Sequence, residues 1–228
     1  LCLFYLRQIP TFEILGMLFG VSKSEAQVTF HYWRKIFPLI LPPSLLEQVS
    51  NQEGDLMIVK KMLTSFQLLV DSVEQPINRP SDNEEQKKVF YGKKKQHTLK
   101  SQVVGLPKAK DIIDVEVGVP GPTADITLFR KQLNKFDTQQ KFEGDKAYQG
   151  GKNITTPQKK KRNQELSEQK KFENKVLSSK RIFIEHLIRI IKIFQIASQR
   201  FRLNTDVYQE IILTVCGLVR LRIGALVL

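Results

Sequence analysis

Three acidic side chains far apart in the chain, Asp71, Asp145 and Glu185, have the type and setting that phosphoryl transfer uses. Asp71 follows the compact apolar run Phe66–Val70, and Asp145 closes the short run Lys141–Asp145. Glu185 lies in the stretch Ser178–Arg202, with Arg181 and Lys192 at helical spacing on the same side of it. Mg²⁺ takes oxygen ligands and usually keeps one or two carboxylates plus substrate phosphates. Two ions about 4 Å apart activate the attacking oxygen and stabilise the leaving one in an in-line displacement. The expected cofactor is therefore a pair of Mg²⁺ ions, or Mn²⁺ in their place. Each residue also has a plainer reading: an exposed ion-paired helix face for Arg181, Glu185 and Lys192, and a turn aspartate for Asp71.

The elements that must hold these groups can be read in outline. In Ser178–Arg202, Phe183, Leu187, Ile190, Ile191 and Phe194 fall on one side of a helix, and the Arg181–Glu185–Lys192 face falls on the other. Phe66–Val70 reads as a buried strand that stops at Asp71, and the proline-broken stretch Glu74–Gln86 reads as a loop. Val89–Tyr91 and Thr98–Val104 are strands around the lysine-rich turn Gly92–Lys95, and Asp111–Val119 is another. Asp125 opens a helix to about Leu133, where its charge suits the N-terminus. Leu166 onward and Asp206–Val227 are helical.

The front of the chain is helical as well. Thr11 caps a helix to Phe19, Gly20-Val21-Ser22 breaks it, and Ser22 caps a second helix to about Phe37, packing through Val28, Tyr32 and Ile36. Pro38, Pro42 and Pro43 end it, and Asn51–Lys61 reads as a polar connection. Two helices around a short glycine turn match a helix-turn-helix as well as an ordinary helical hairpin. In the first case Lys23, Ser24, Gln27, His31, Arg34 and Lys35 reach bases or phosphates. A helix-turn-helix pair needs a third helix to complete its core. Leu1–Leu6, which begins on Leu and not Met, reads as the stump of one in an N-terminally shortened frame.

Charge points the same way. Lys and Arg number 36 against 23 Asp and Glu, for a net charge of +13, so a polyanion is the expected partner. The clusters Lys93-Lys94-Lys95 and Lys159-Lys160-Lys161-Arg162 can grip a phosphate backbone. A membrane partner is disfavoured: the longest apolar run, Ile211–Val219, is too short to span a bilayer. No basic leader or cleavage site marks a secretory signal. Cys2 and Cys216 carry no metal spacing and read as buried thiols of a reducing compartment, and the three histidines form no zinc pattern.

In combination, VDSVEQPINRP, YGKKKQHTLKSQVV, PGPTADITLFR, GDKAYQG and SSKRIFIEHLIRIIKIFQ resemble insertion-sequence transposases of the DDE superfamily, most nearly the bacterial relatives of the Harbinger-type transposases. The likeness covers nearly the whole chain and includes its helix-turn-helix. It implies a helix-turn-helix domain over residues 1–50 and, over 57–228, an α/β ribonuclease H-like domain with a mixed sheet and flanking helices. It places the catalytic carboxylates on Asp71, Asp145 and Glu185, and adds Asp125 as an accessory metal-site residue. It puts Arg181 and Lys192 in the signature around Glu185, with Ser178 where related signatures often carry Tyr. The implied activity is metal-dependent strand cleavage and transfer of double-stranded DNA at element ends, by a homo-oligomer on the nucleoid in the cytoplasm. A non-catalytic DNA-binding remnant or repressor derived from such an enzyme is the alternative.

Overall fold

In the computed structural model, which describes residues 1–158 and 167–226, three helices open the chain: α1 (Cys2–Gln8), α2 (Phe12–Phe19) and α3 (Lys23–Ile40). The Thr11 hydroxyl caps α2. Gly20 ends it at φ 68°, a left-handed conformation that glycine adopts without a Cβ penalty. Ser22 and Glu25 then form a reciprocal capping box at the start of α3. Here α1 supplies the third helix: Tyr5 stacks on Phe12 at 5.0 Å between ring centroids and meets Phe30 at 4.3 Å. The packing side of α3 differs from the expected one. Ala26 and Phe30 are buried, whereas Val28 and Tyr32 point to solvent. The period was right but the phase was wrong, because Val28 and Tyr32 are as apolar as the residues that pack. Pro38 sits inside α3, which runs on to Ile40.

After α4 (Leu45–Val49), the stretch read as a polar connection is helix α5 (Glu53–Leu63). Its apolar residues Leu56, Val59 and Leu63 recur at helical spacing and pack on one core beneath the sheet. Strand β1 (Gln67–Pro76) then runs well past Asp71, where it was expected to stop. What extends it is a partner: Ser72–Pro76 pair antiparallel with Thr98–Gln102 of β3 (Gln96–Gly105). The rest of the expected loop holds α6 (Asn83–Val89), capped by Asp82, which leads into β2 (Phe90–Tyr91).

Strand β4 (Ile112–Pro120) lines the other side of β3, followed by α7 (Asp125–Gln132), β5 (Lys141–Glu143), β6 (Ile154–Thr155), α8 (Glu168–Lys192) and α9 (Tyr208–Arg222). The mixed sheet is antiparallel through β4, β3 and β1, then parallel through β1, β5 and β6. Side chains of β1 alternate between two cores. Leu69 and Val73 join the one under α8 and α9, and Leu68 and Val70 the one with α4, α5 and α7. The first core also takes in Cys2, Tyr5, Leu6 and Phe30, so the N-terminal helices share their apolar interior with the sheet.

Arg220 of α9 is wholly buried and fastens four segments. Its guanidinium grips Asp111 through Nε at 2.7 Å and Nη2 at 3.0 Å. It also donates to the carbonyls of Pro42 and Ser44 and to Oε1 of Gln48, at 2.8–3.0 Å. Cys2 and Cys216 are buried free thiols. Among the described residues no helix is long and apolar enough to cross a membrane.

Candidate active site

The strand parity of β1 sends Asp71 toward α8 and Ser72 toward α7. Burial pushes the Asp71 carboxyl up to about 6; the Ser72 amide and Arg181 oppose this, while Asp145 and Glu185 add to it. Asp145, Glu185 and Arg181 therefore each act on the Asp71 carboxyl. The Asp71 Oδ1 accepts from the Ser72 amide at 2.8 Å. Asp145 lies just beyond β5, which pairs parallel with β1 in the register Leu69↔Glu143. Its Oδ1 accepts from the Ala147 amide at 2.7 Å, so it caps a single 3₁₀ turn, Lys146–Tyr148, that holds the carboxylate in place.

Helix α8 brings the third carboxylate. The expected apolar stripe is rolled: Ile184, Leu187, Ile188 and Ile191 face the core, and Phe183 is exposed. Gly105 of β3 accounts for the roll. A Cβ there would stand 3.1 Å from Ile184 Cδ1 and 3.3 Å from Leu187 Cδ1, so the helix settles where the strand offers no side chain. The Arg181–Glu185–Lys192 face thus flanks the buried stripe and does not oppose it. The Arg181 side chain is only 19% exposed, Glu185 is 57% exposed, and Arg181 Nη2 lies 3.5 Å from Glu185 Oε1. Lys192 is exposed in the last turn of α8.

Asp125 stands apart from this group. It opens α7 on the opposite face of the sheet, where its Oδ1 accepts from Ser72 Oγ at 2.7 Å and from the buried Lys100 ammonium at 2.9 Å. Lys100 also donates to the Thr123 carbonyl at 2.6 Å and lies 3.5 Å from Glu74. The Asp125 charge is thus already compensated within the chain. The Tyr148 hydroxyl lies near both carboxylate groups; burial, then Asp71 and Asp125, hold its pKa well above the usual phenol value.

Oxygen donors make up the Asp71, Asp145 and Glu185 set, and that chemistry fits a hard divalent cation. Burial and two neighbouring carboxylates that raise the Asp71 pKa are what a cation in the site would counter. Among the described residues, however, no three acidic, histidine or cysteine side chains converge closely enough to enclose an ion. Sequence reasoning missed two buried charges close to the site, Lys100 beside Asp125 on the α7 face, and Glu143. Glu143 is fully buried on the α8 face, and burial raises its pKa against the lowering effect of Lys180 and Arg181.

At the front of the molecule, Lys23, Ser24, Gln27 and Lys35 are exposed on α3. His31 packs against Phe30 and Phe12, and burial, then the Arg34 charge, lower its pKa. Arg34 is engaged elsewhere: it donates to Glu210 of α9 at 2.6 Å and ties α3 to the body of the molecule. Lys93, Lys94 and Lys95 stand exposed on the turn between β2 and β3, with Lys94 Nζ 2.9 Å from Glu74. Lys159, Lys160, Lys161 and Arg162 lie outside the described residues.

Comparison with known proteins identifies this assembly. Residues 70–220 match the family described as DDE superfamily endonuclease, and residues 1–43 match the helix-turn-helix of that superfamily. The chain is 34% identical over 203 residues to a protein of Microchaete diplosiphon named "Probable transposase for insertion sequence element IS702", covering 87% of this chain and 70% of that relative. No solved structure matches the chain. Matches over both the helix-turn-helix and the endonuclease part, together with this relative, mean that the chain belongs to the DDE-superfamily insertion-sequence transposases.

Proposed function

We propose that this transposase cleaves DNA strands at insertion-sequence ends and joins the freed 3′-hydroxyl to target DNA, with Asp71, Asp145 and Glu185 as the metal-holding carboxylates. What supports the reading is the placement of β5 beside β1, which brings Asp145 toward the buried Asp71 carboxyl, on which Glu185 and Arg181 of α8 also act. Mg²⁺ or Mn²⁺, two ions per site, would supply Lewis-acid activation and charge neutralisation there. The chain's own residues do the rest. The capped turn at Asp145 and the Ser72 amide on Asp71 fix two carboxylates before substrate arrives. Arg181 holds Glu185 through an ion pair before metal binds, and Lys192 on the same face meets the phosphate backbone.

The sheet, antiparallel through three strands and then parallel with helices on both faces, supports the ribonuclease H-like assignment for residues 57–228. Residues 1–50 form the DNA-reading part, led by Lys23, Ser24, Gln27 and Lys35 on α3, with His31 and Arg34 positioning that helix. Lys93–Lys95 add contacts to the duplex backbone, as does the basic run 159–162. Acting on two element ends calls for a homo-oligomer on DNA, working on the nucleoid in the cytoplasm.

The test is Mg²⁺-dependent nicking of a duplex that carries an element end. Asp145→Asn and Glu185→Gln should each lower cleavage about a thousandfold, the scale of several kcal/mol of lost charge stabilisation. DNA affinity measured without metal should stay within about twofold, since neither residue belongs to the phosphate grip. Cleavage by either variant at the parental rate overturns the site. A parent chain that binds the duplex and never nicks it would be a DNA-binding remnant instead.

A further inference from the structure

Glu143 is the least explained charge in the molecule. It is 0% exposed, and among the described residues neither carboxylate oxygen has a hydrogen-bond partner. Lys180 Nζ is 4.0 Å away, and its side chain is half exposed. Burying a carboxylate without partners works against folding, and a strand core has no need of it. A leucine or valine would serve the fold better at this position. Charges kept at such a cost mark places where the structure does something else.

Its surroundings show what that is. Glu143 pairs in register with Leu69, so it faces α8 from the strand that leads to Asp145. Above it, α8 carries Lys180 and Arg181 side by side, and both act electrostatically on Glu143. The Arg181 Nε is itself buried without a partner among the described residues. The same guanidinium rests its Nη2 at 3.5 Å from Glu185, long for a charged hydrogen bond. One half-satisfied cation therefore lies within the field of three carboxylates, two of them proposed metal-site residues, Asp71 and Glu185, and the third, Glu143, without a hydrogen-bond partner among the described residues.

We propose that Glu143 is a positioning residue that takes the Arg181 guanidinium when Glu185 turns to metal, pinning α8 to β5 and releasing Glu185 from its ion pair. No covalent step is involved; one ion pair exchanges for another. The fork of arginine suits this role, since two parallel N–H groups can meet both orphan oxygens of Glu143. The inference rests on the carboxylate assignment of the preceding subsection.

Glu143→Gln and Glu143→Leu test it, because the two readouts should move in opposite directions. Without metal both variants should melt at a higher temperature than the parent, since an unpaired buried charge has gone. Bound to duplex, both should hold Mn²⁺ about tenfold more weakly by titration of free Mn²⁺, because Arg181 stays on Glu185. Arg181→Gln in the Glu143→Gln background should recover most of that Mn²⁺ affinity by removing the competing cation. Lower melting temperatures, loss of folding, or unchanged Mn²⁺ affinity in the Glu143 variants would each overturn the proposal. If the parent itself bound no Mn²⁺ on duplex, the carboxylate site would fail first, and the two failures are thus distinguishable.

Discussion

Under the proposed carboxylate assignment, replacing Asp71 by Asn should lower metal-dependent cleavage about a thousandfold or more and should make the metal-free protein more stable at neutral pH. The two effects share one cause. Burial raises the Asp71 pKa from 3.8 to about 6, so the folded chain holds a proton there that the unfolded chain has already lost. A carboxyl with a raised folded pKa carries no penalty below the unfolded value. Stability then falls as pH rises from about 4 to about 6, and the full penalty persists above that range. At pH 7 it is about 3 kcal/mol. Asparagine removes the charge and with it the penalty. Melting curves of parent and variant should therefore nearly coincide near pH 4 and separate at pH 7, the variant higher. Added Mg²⁺ should raise the parent's melting temperature and leave the variant's unchanged, because only the parent keeps the ligand. A variant that melts below the parent at pH 7, or still nicks DNA, contradicts the assignment.

The second large effect is expected far from the chemistry. Arg220→Ala should destabilise the protein by about 3–5 kcal/mol, the range for removing one partner of a buried ion pair. Asp111 would be left buried and uncompensated, and the Pro42 and Ser44 carbonyls and the Gln48 side chain would lose their donor together. Arg220→Lys should rescue little, since a single ammonium cannot reach five acceptor positions in a plane. Replacing both Arg220 and Asp111 by apolar residues should recover much of the loss, because it removes the uncompensated charge. Denaturant midpoints for the parent and these three variants decide this. A lysine variant with the parent's midpoint would show that the forked geometry is not what matters.

These two sites were unequally legible. The carboxylates of Asp71, Asp145 and Glu185 stood out because each is isolated beside an apolar run or on a helix face. The helical period of α8 was legible too, but its roll was not. Phe183, Ile190 and Phe194 are as apolar as Ile184 and Ile188, and Gly105 on a distant strand selects between them. Strand β1 could not be followed past Asp71, since Ser72–Pro76 is extended by pairing with β3 and not by its own composition. Asp125 was rightly placed at the start of a helix, yet which sheet face that helix covers depends on strand parity and tertiary packing. Glu143 gave no signal at all. A short parallel strand covered on both faces loses its alternation, so a buried acid there looks like any other charge.

The interior shared by the first helices and α9 also has a consequence in time. Phe30 and Leu6 pack in one core with Ile211 and Val215, and Arg34 is clamped by Glu210. The DNA-reading helix is thus fixed by contacts that span most of the sequence, and contacts of that range form late and slowly. During synthesis α3 lacks its anchor until α9 has left the ribosome. A nascent chain stalled before residue 208 should therefore show α3 accessible to protease, and one extended beyond residue 222 should protect it. Under the proposed reading, α3 would read DNA only after the segment carrying Glu185 has been made, which would keep incomplete chains off element ends.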